Sequence, residues 1–238
     1  MLPPDLRAAE QQALEAVLQA LTDNPRGRWS VDWRFQGLRL LPPVLRLSEA
    51  LRASHTQLSL LFPDAGAAAL ARRDAPEQAE WVADFRGHQR RQQTDQDKGL
   101  DTDQDTEASS VLLAVAPNQA DYEDFEKLCA GHRGAVVVIN GSLEDAAVGI
   151  GSVARERRRG FLAQWQAAYY LQPLDGAALR RAFPGPWELF RQDADGFRLA
   201  ASFDQKPDGE QQAEALATSG GLAGNLRAMD AFIEGLRS

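Results

Sequence analysis

Four short stretches of the chain combine glycine, acidic, amide or arginine side chains in ways that could bind a ligand or a partner. Acidic and amide groups beside a turn can hold a polar ligand, glycine-rich turns before a helix can hold a phosphate, and clustered arginines can hold an anion. The candidate binding residues are Asp64, Gly66, Asn140, Asp145, Gly149, Gly151, Arg155 and Arg158. Each stretch also has a structural interpretation, which its spacing and neighbouring elements help to weigh.

The stretch Gly149-Ile150-Gly151-Ser152-Val153-Ala154 has the formal pattern Gly-x-Gly-x-x-Ala. In a dinucleotide-binding turn such glycines let the pyrophosphate approach the N-terminus of a helix. That turn must follow a strand directly, whereas the strand expected here ends at Ile139. Only Asp175 could serve, loosely, as the acidic residue that belongs about 20 positions later. The pattern therefore favours a flexible turn that admits a helix, with dinucleotide binding as the alternative.

Asp64 and Gly66 follow a short apolar run at residues 58–62 and precede an alanine-rich helix. A strand that leads into such a turn reaches the carboxyl edge of a sheet, where open α/β sheets bind their ligands. Asp64 could contact a ligand or a cation there, or its carboxylate could cap the helix. The cap is the favoured interpretation.

The stretch from Asn140 to Asp145 starts with an Asn-Gly pair, which is typical of a tight turn. Ser142 and Asp145 have the spacing of a capping box at a helix start. Glu144 and Asp145 are adjacent, and adjacent helical side chains point about 100° apart, so their carboxylates cannot converge on one atom. A structural turn is the favoured interpretation.

Arginine is concentrated after this turn, at Arg155, Arg157, Arg158 and Arg159. On the helix predicted at residues 152–165, Arg155, Arg158 and Arg159 line one side and could bind phosphate or an acidic partner. A solvated helix face is the favoured interpretation. A nucleic-acid site would need interleaved aromatic side chains and an excess of positive charge, so we expect no nucleic-acid partner.

Several catalytic classes are excluded because their motifs are missing. The sequence has no Gly-x4-Gly-Lys-[Ser/Thr] phosphate loop, no Gly-x-Ser-x-Gly nucleophile elbow and no His-Glu-x-x-His zinc pair. His55, His88 and His132 are scattered, and the single Cys129 falls on the apolar stripe of a predicted helix, where a thiol is usually inert. We therefore expect no catalytic triad, no metal site, no internal disulfide and no cofactor.

The composition is that of a soluble globular protein. The 238 residues are 44% hydrophobic and 25% charged, with a mean hydropathy of −0.40. No apolar run approaches the ~20 residues that a membrane span needs, and the first residues lack the pattern of a secretory signal. The net charge is −8, of which −5 falls between Asp95 and Glu107. These features predict a cytoplasmic protein without a transmembrane segment.

The order of apolar patterns predicts alternating strands and helices. Residues 29–35 alternate large apolar and polar side chains, as a half-buried strand does. Residues 135–139 are apolar throughout, which is typical of a strand covered by helices on both faces of a parallel sheet. The later predicted elements are a helix at 152–165, a strand at 168–171, a short helix at 176–183 and a hairpin of residues 187–191 and 197–203. The sequence thus predicts one α/β domain over residues 1–238, a three-layer, mainly parallel sheet with helices on both faces and an antiparallel C-terminal hairpin at the edge.

Two segments differ from this pattern. Residues 89–110 are rich in Gln, Asp, Thr and Ser and cannot bury enough apolar area to offset the entropy of ordering. We predict that they form a disordered acidic insertion within the domain. Residues 209–238 are predicted to form a C-terminal helical extension, with two helices separated by the break Ser219-Gly220-Gly221.

A series of short motifs occurs in a fixed order within residues 29–203. These motifs are residues 61–70, Ile139-Asn140, Leu143-Glu144-Asp145, Gly149-Ile150-Gly151, Arg155, Phe161, Tyr169-Tyr170-Leu171, Pro173-Leu174, Pro184-Gly185 and Trp187. Together they resemble a domain-of-unknown-function family of cyanobacteria and plastids that includes the plant low photosystem II accumulation type proteins. Gly141-Ser142, where a bulkier pair with proline is expected, and the acidic insertion depart from the family pattern.

The resemblance implies a non-enzymatic auxiliary protein that supports photosystem II assembly or accumulation. Its partners would be photosystem II subunits or assembly factors, and it would associate peripherally with the thylakoid membrane, through the helix around Arg155 and the loops near Asp64 and Asn140. In plastids the domain also occurs fused to an adenylate-kinase-like domain. The alternative is therefore a nucleotide- or dinucleotide-binding α/β enzyme that uses the turns at Gly66 and at Gly149 and Gly151.

Overall fold

The computed structural model describes residues 1–55, 57–97, 110–148 and 151–219. Within these ranges the chain forms one sheet of nine strands. The strands are β1 (Arg28–Trp33), β2 (Leu58–Phe62), β3 (Val82–Asp84), β4 (Val111–Val115), β5 (Ala135–Ile139), β6 (Trp165–Leu174), β7 (Ala177–Ala182), β8 (Trp187–Asp193) and β9 (Gly196–Phe203).

Helices connect most of the parallel strands. The α-helices of the described residues are α1 (Leu6–Asp23), α2 (Leu41–Arg52), α3 (Ala65–Asp74), α4 (Phe85–Asp97), α5 (Tyr122–Gly131), α6 (Ser152–Arg159) and α7 (Gly209–Ser219). Shorter 3-10 helices lie at Pro76–Gln78, Gln119–Asp121, Leu143–Ala147 and Phe161–Gln164.

The strand order is β3-β2-β4-β5-β1-β6-β7-β8-β9. Strands β1 to β6 pair with one another in parallel, and β6 to β9 form an antiparallel meander at one edge. The predicted α/β class, with a mainly parallel sheet and an antiparallel C-terminal edge, is confirmed. Strand β1 therefore lies in the interior of the sheet, between β5 and β6.

The larger apolar core lies on the first face of the sheet, which α1, α2 and α3 cover. Helix α1 starts at the Asp5 carboxylate, which accepts a hydrogen bond from the Ala8 amide at 2.8 Å. Strand β1 contributes Trp29 and Trp33 to this core, with exposed fractions of 2% and 1%. Burial of side chains of this size stabilises the fold by about 3 kcal/mol each.

The second face carries two smaller apolar clusters instead of one. The cluster around Phe125 packs under α4, α5 and the 3-10 helices, whereas the cluster around Trp187 packs under Ala215 and Leu216 of α7. Strand β5 is buried along its whole length because its side chains alternate between the first-face core and the Phe125 cluster, as its apolar sequence predicts. The two clusters of the second face are separate from each other.

The helix predicted at residues 176–183 is wrong, because these residues form β7. Gly176 adopts φ +62°, which lets the chain reverse after β6 and pair with it in antiparallel register. Ala, Leu and Arg are good helix formers, but pairing with both β6 and β8 outweighs that preference.

The helix predicted at 152–165 ends earlier than expected. Helix α6 ends at Arg159, Gly160 caps it, and the 3-10 helix at Phe161–Gln164 leads directly into β6. Trp165 is therefore the first residue of β6, where it pairs with Arg28 of β1. This shift brings the indole of Trp165 to the central strands.

Part of the segment predicted as a disordered insertion is helical. Residues 89–97 form the last nine of the 13 residues of α4, so the expectation of an irregular loop is wrong for them. A contact remote in sequence holds this helix, since the Gln89 side-chain amide donates to the Asp124 carbonyl of α5 at 3.0 Å. Residues 98–109 lie outside the described residues.

The first helix of the predicted C-terminal extension is α7, and the second lies outside the described residues. Within the described ranges, none of the helices has the length and apolar character needed to cross a bilayer.

Candidate functional site

A cleft of about 270 Å³ opens on the second face of the sheet, between its two apolar clusters. Its volume is close to the lower limit of small-molecule sites, about 300 Å³. The lining side chains are Ser30, Asp32, Arg34, Val138, Gly141, Leu143, Glu144, Leu162, Trp165, Ala167, Tyr170, Trp187 and Lys206. The central strands β1 and β6 form its floor.

Strand alternation explains the polar floor of the cleft. Trp29, Val31 and Trp33 point into the core of the first face, so Ser30 and Asp32 must point to the second. The Arg34 amide donates to the Leu171 carbonyl at 2.9 Å, which extends the pairing of β1 with β6 beyond the end of the strand. The polar positions of β1 thus lie in the interior of the sheet.

Asp32 is a buried carboxylate, with an exposed fraction of 7%. An Nη atom of Arg34 donates to Asp32 Oδ1 at 2.6 Å. Burial raises the pKa of Asp32 above its ordinary value, while Arg34 and a hydrogen bond from Ser30 act in the opposite direction. Lys206 also lowers this pKa and Glu144 raises it, so both charges act on the floor of the cleft.

Hydrogen bonds to the backbone hold the floor in place. The Arg34 guanidinium donates to the Gly141 carbonyl at 2.7 Å. The Asn140 side chain accepts from the Trp33 amide and donates to the Trp33 carbonyl, both at 2.8 Å. These bonds join the ends of β1 and β5, and they keep Asn140 in the left-handed region at φ +51°.

One wall of the cleft is aromatic and cationic. The rings of Tyr170 and Trp187 lie 5.1 Å apart between their centroids. Lys206 Nζ lies 4.3 Å from the Tyr170 centroid, and the Arg181 guanidinium lies 5.6 Å from the Trp187 ring. Arg181 is the cross-strand neighbour of both Tyr170 and Trp187, so it lies behind the same wall.

The two cations of this wall have no direct ion pair with an acidic side chain in the part of the chain that the structure describes. Arg181 Nε is buried and has no hydrogen-bond partner there. Burial also lowers the pKa of Arg181. An uncompensated, partly buried guanidinium is costly, and an anion bound beside it would offset that cost.

The opposite wall is apolar, with Leu143, Leu162 and Trp165. The Trp165 ring packs on Phe125 and Phe161, at centroid distances of 5.9 and 5.5 Å. Its indole N–H is buried and finds no acceptor among the described residues. The wall can therefore contact a ring or an aliphatic group of a ligand.

None of the candidate residues that the structure describes lines the cleft. Asp64 caps α3, since its carboxylate accepts from the Gly66 and Ala67 amides at 2.8 and 2.9 Å. The predicted cap is confirmed. The oxygen and the nitrogen of the Asn140 side-chain amide both bond to the Trp33 backbone. Its neighbour Gly141 lines the cleft instead.

The capping box predicted for Ser142 and Asp145 is wrong. The Ser142 side chain makes no cap bond, and its backbone amide donates to the Pro117 carbonyl at 2.9 Å. The following residues form a 3-10 helix, in which Asp145 is exposed and Glu144 lines the cleft.

In the described residues, the glycine-rich turn does not have the strand before it that a dinucleotide-binding turn needs. Gly149 lies outside them, and Gly151 precedes α6 but follows a 3-10 helix rather than a strand. Asp175 lies in the turn between β6 and β7, not at the end of a parallel strand. Gly151 and Gly66 do not line the cleft.

The arginines of helix α6 differ in their contacts. Arg158 donates to the Ala147 carbonyl and Arg157 to the Ala146 carbonyl, so both hold the end of the preceding 3-10 helix. Arg155 is exposed and does not line the cleft.

The cleft was missed at the sequence level because its residues come from distant parts of the chain: β1, β5 and the 3-10 helix after it, the 3-10 helix before β6, β6, β8 and the loop after β9. The sequence feature that could have found it is the polar alternation of Ser30, Asp32 and Arg34, but this pattern predicts the solvent-exposed side of a half-buried strand. Only the position of β1 inside the sheet turns this row into the floor of a cleft.

Comparison with known proteins gives a family and no function. None of the curated proteins matches the chain. A model of the family described as "Domain of unknown function (DUF1995)" matches residues 3–214, which include every residue that lines the cleft. The chain belongs to this family, and the resemblance to a domain-of-unknown-function family is confirmed.

Proposed function

We propose that the cleft binds a small organic anion that carries a ring, and that ligand binding is the biochemical activity of this protein. The observation that carries the proposal is the pair of cations, Lys206 and Arg181, which flank Tyr170 and Trp187 and make no direct ion pair with an acidic side chain in the described residues. Lys206 lines the cleft and has donor groups left for a carboxylate or a phosphate, and Arg181 adds positive charge behind the same wall.

The polar floor and the apolar wall define the rest of the ligand. Asp32 and the exposed Glu144 can accept hydrogen bonds from hydroxyl or amino groups. The Trp165 and Leu162 wall offers apolar contact to a ring. A ligand with an anionic group at one end and a ring with donor groups at the other matches this arrangement.

The lining favours binding over turnover. It contains no histidine and no cysteine, which are the side chains that most often act as base or nucleophile near neutral pH. The Asp32 carboxylate is already engaged by Arg34. Binding is therefore the activity that the cleft supports best.

Thermal shift with matched probes tests this proposal. We expect AMP or a ring-bearing carboxylate to raise the melting temperature, whereas adenosine and inorganic phosphate give smaller shifts because each offers half of the contacts. At 100 times its Kd a ligand adds about 2.7 kcal/mol, or roughly 5–11 °C for a protein of this size. Lys206→Gln should reduce the shift, and Lys127→Gln, an exposed lysine on α5, is the matched control.

Two results would contradict the proposal. One is a shift of equal size in wild type and Lys206→Gln, and the other is the absence of a shift with every ring-bearing anion. Nucleotide binding through the turns at Gly66 and at Gly149 and Gly151 stays the alternative, and a shift abolished by Gly66→Val but not by Lys206→Gln would favour it.

We also propose a role as an auxiliary protein for photosystem II assembly or accumulation. The motif resemblance supports it, and so does the exposure of α6, where Val153 is 59% exposed two positions before the exposed Arg155. Affinity purification from a phototroph tests whether this surface binds photosystem II proteins or thylakoid membrane. The tagged wild-type protein is compared with a double variant that carries Arg155→Glu and Val153→Ser. If the variant recovers as much photosystem II protein and membrane as wild type does, this surface is not the binding surface.

A further inference from the structure

The cleft has an acidic side as well as its cationic wall. Asp32 of β1 and Glu144 of the 3-10 helix after β5 line the acidic side, whereas Lys206 lines the wall of Tyr170 and Trp187. Strand order separates the two sides, because β5 and β1 precede β6 in the sheet and β7 and β8 follow it. In the described residues Lys206 makes no direct ion pair with Asp32 or Glu144. The two sides therefore remain available to opposite charges of a ligand.

The acidic side carries an excess of negative charge. Arg34 pairs with Asp32 at 2.6 Å, whereas Glu144 has no ion pair in the part of the chain that the structure describes. Two carboxylates beside one guanidinium leave one negative charge. The carboxylates also repel each other, since Glu144 adds to the effect of burial and raises the pKa of Asp32. A cation bound between them would offset both the burial and the repulsion.

Asp32 keeps hydrogen-bonding capacity for such a cation. An ionised carboxylate offers about four lone-pair positions. Arg34 uses one of them and Ser30 another, so positions remain that face the cleft. Glu144 is exposed at the rim and adds a second carboxylate. A protonated amine suits these acceptors better than a hydroxyl group, because hydrogen bonds between charged groups are the stronger ones.

We propose that the ligand of the cleft is a zwitterion, a ring-bearing anion that also carries a protonated amine. This inference rests on the proposed function and adds the second charge of the ligand. The amine binds between Asp32 and Glu144, the anionic group binds Lys206, and the ring packs on Leu162 and Trp165. A ligand with neutral donors would leave the excess negative charge of the acidic side uncompensated.

Isothermal titration calorimetry of the full-length protein with three matched probes tests the inference. The probe 4-(aminomethyl)benzoate carries both charges, 4-ethylbenzoate keeps only the carboxylate, and 4-(aminomethyl)benzamide keeps only the amine. We expect the zwitterion to bind about tenfold or more tightly than either of the other two, because each of them lacks one charged contact.

Two variants locate the amine. Asp32→Asn should reduce the advantage of the zwitterion over 4-ethylbenzoate to about threefold or less, because it removes the buried charge. Glu144→Gln should reduce it by a smaller factor, since the exposed carboxylate is screened by water. Neither variant should weaken the binding of 4-ethylbenzoate. Asp23→Asn, which changes an exposed carboxylate at the end of α1, is the matched control and should leave every affinity unchanged.

The other outcomes overturn the inference in distinguishable ways. Equal affinities for the zwitterion and 4-ethylbenzoate would remove the amine from the ligand and leave the proposed function intact. Equal affinities for the zwitterion and 4-(aminomethyl)benzamide would contradict the anionic end, and the proposed function would fail with it. A preference for the zwitterion that Asp32→Asn and Glu144→Gln both leave unchanged would place the amine elsewhere. If neither carboxylate binds, the inference is wrong, and the thermal shift with AMP decides the proposed function separately.

Discussion

The two faces of strand β1 differ in chemistry although the residues alternate along one short segment. Trp29, Val31 and Trp33 fill the core under α1, whereas Ser30 and Asp32 form the floor of the cleft on the other side. The first face is buried by helices that follow one another along the chain. The second face is left open because its two apolar clusters do not meet. An interior strand can therefore stabilise the fold with one row of side chains and present a site with the other.

The largest expected effect lies on the core side of β1. Trp33→Ala should reduce the free energy of unfolding by about 3–5 kcal/mol, because it empties a large volume in a fully packed core. Urea unfolding followed by circular dichroism measures this change. Ser30→Ala on the opposite face is the matched control and should cost about 1 kcal/mol or less. Equal losses in the two variants would mean that both faces of β1 act as core.

A smaller effect is expected where β1 and β5 end. Asn140→Ala should cost about 2–3 kcal/mol, since it removes two hydrogen bonds to Trp33 and leaves a residue with a Cβ at positive φ. Asn140→Gly removes the same bonds without the backbone strain and should be less damaging. If the two variants were equally stable in urea, the left-handed conformation would contribute nothing.

The cleft side of β1 should make the stability of the protein depend on pH. Burial raises the pKa of Asp32, so the folded state disfavours its ionised form. The wild-type protein then loses stability relative to Asp32→Asn as the pH rises above the ordinary aspartate pKa of 3.8 through the raised value. We expect wild type to lose stability relative to Asp32→Asn between pH 4 and pH 7, and urea unfolding of the two proteins at each pH measures this change.

Two buried histidines also lower the stability of both proteins in acid, and this shared effect must be subtracted in that experiment. Burial lowers the pKa of His88 and of His132 from 6.5 to about 4. Their contribution to stability is complete above pH 6.5 and is lost as the pH falls towards 4. The informative quantity is the difference between wild type and Asp32→Asn at each pH. A constant difference from pH 4 to 8 would contradict the raised pKa.

The smallest stability change is expected for Lys206→Gln. The exposed Lys206 interacts with the faces of Tyr170 and Trp187, and contacts of this kind are worth about 0.5–1 kcal/mol. Urea unfolding should therefore change by less than about 1 kcal/mol, while the ligand-induced thermal shift is strongly reduced. A loss of several kcal/mol would assign Lys206 to the fold instead of the site.

The accuracy of the sequence predictions depended on the range of the interactions involved. The Asp64 cap was predicted because the carboxylate and the amides that it caps lie within three residues. The short helix expected at 176–183 was wrong because pairing with β6 and β8 decides the conformation of β7. The irregular loop expected from residue 89 onwards was wrong for a similar reason, because Gln89 bonds to a partner on α5 that lies 35 residues away.

The sequence by itself determined the α/β class, the buried strand β5, the C-terminal hairpin and the family. Those features follow from local patterns of apolar residues and from turns of a few residues. Only the tertiary structure decided that Asp32, Tyr170, Trp187 and Lys206 surround one cleft. Strand order sets these neighbours, and strand order results from the burial of the whole sheet between helices, which no single segment encodes.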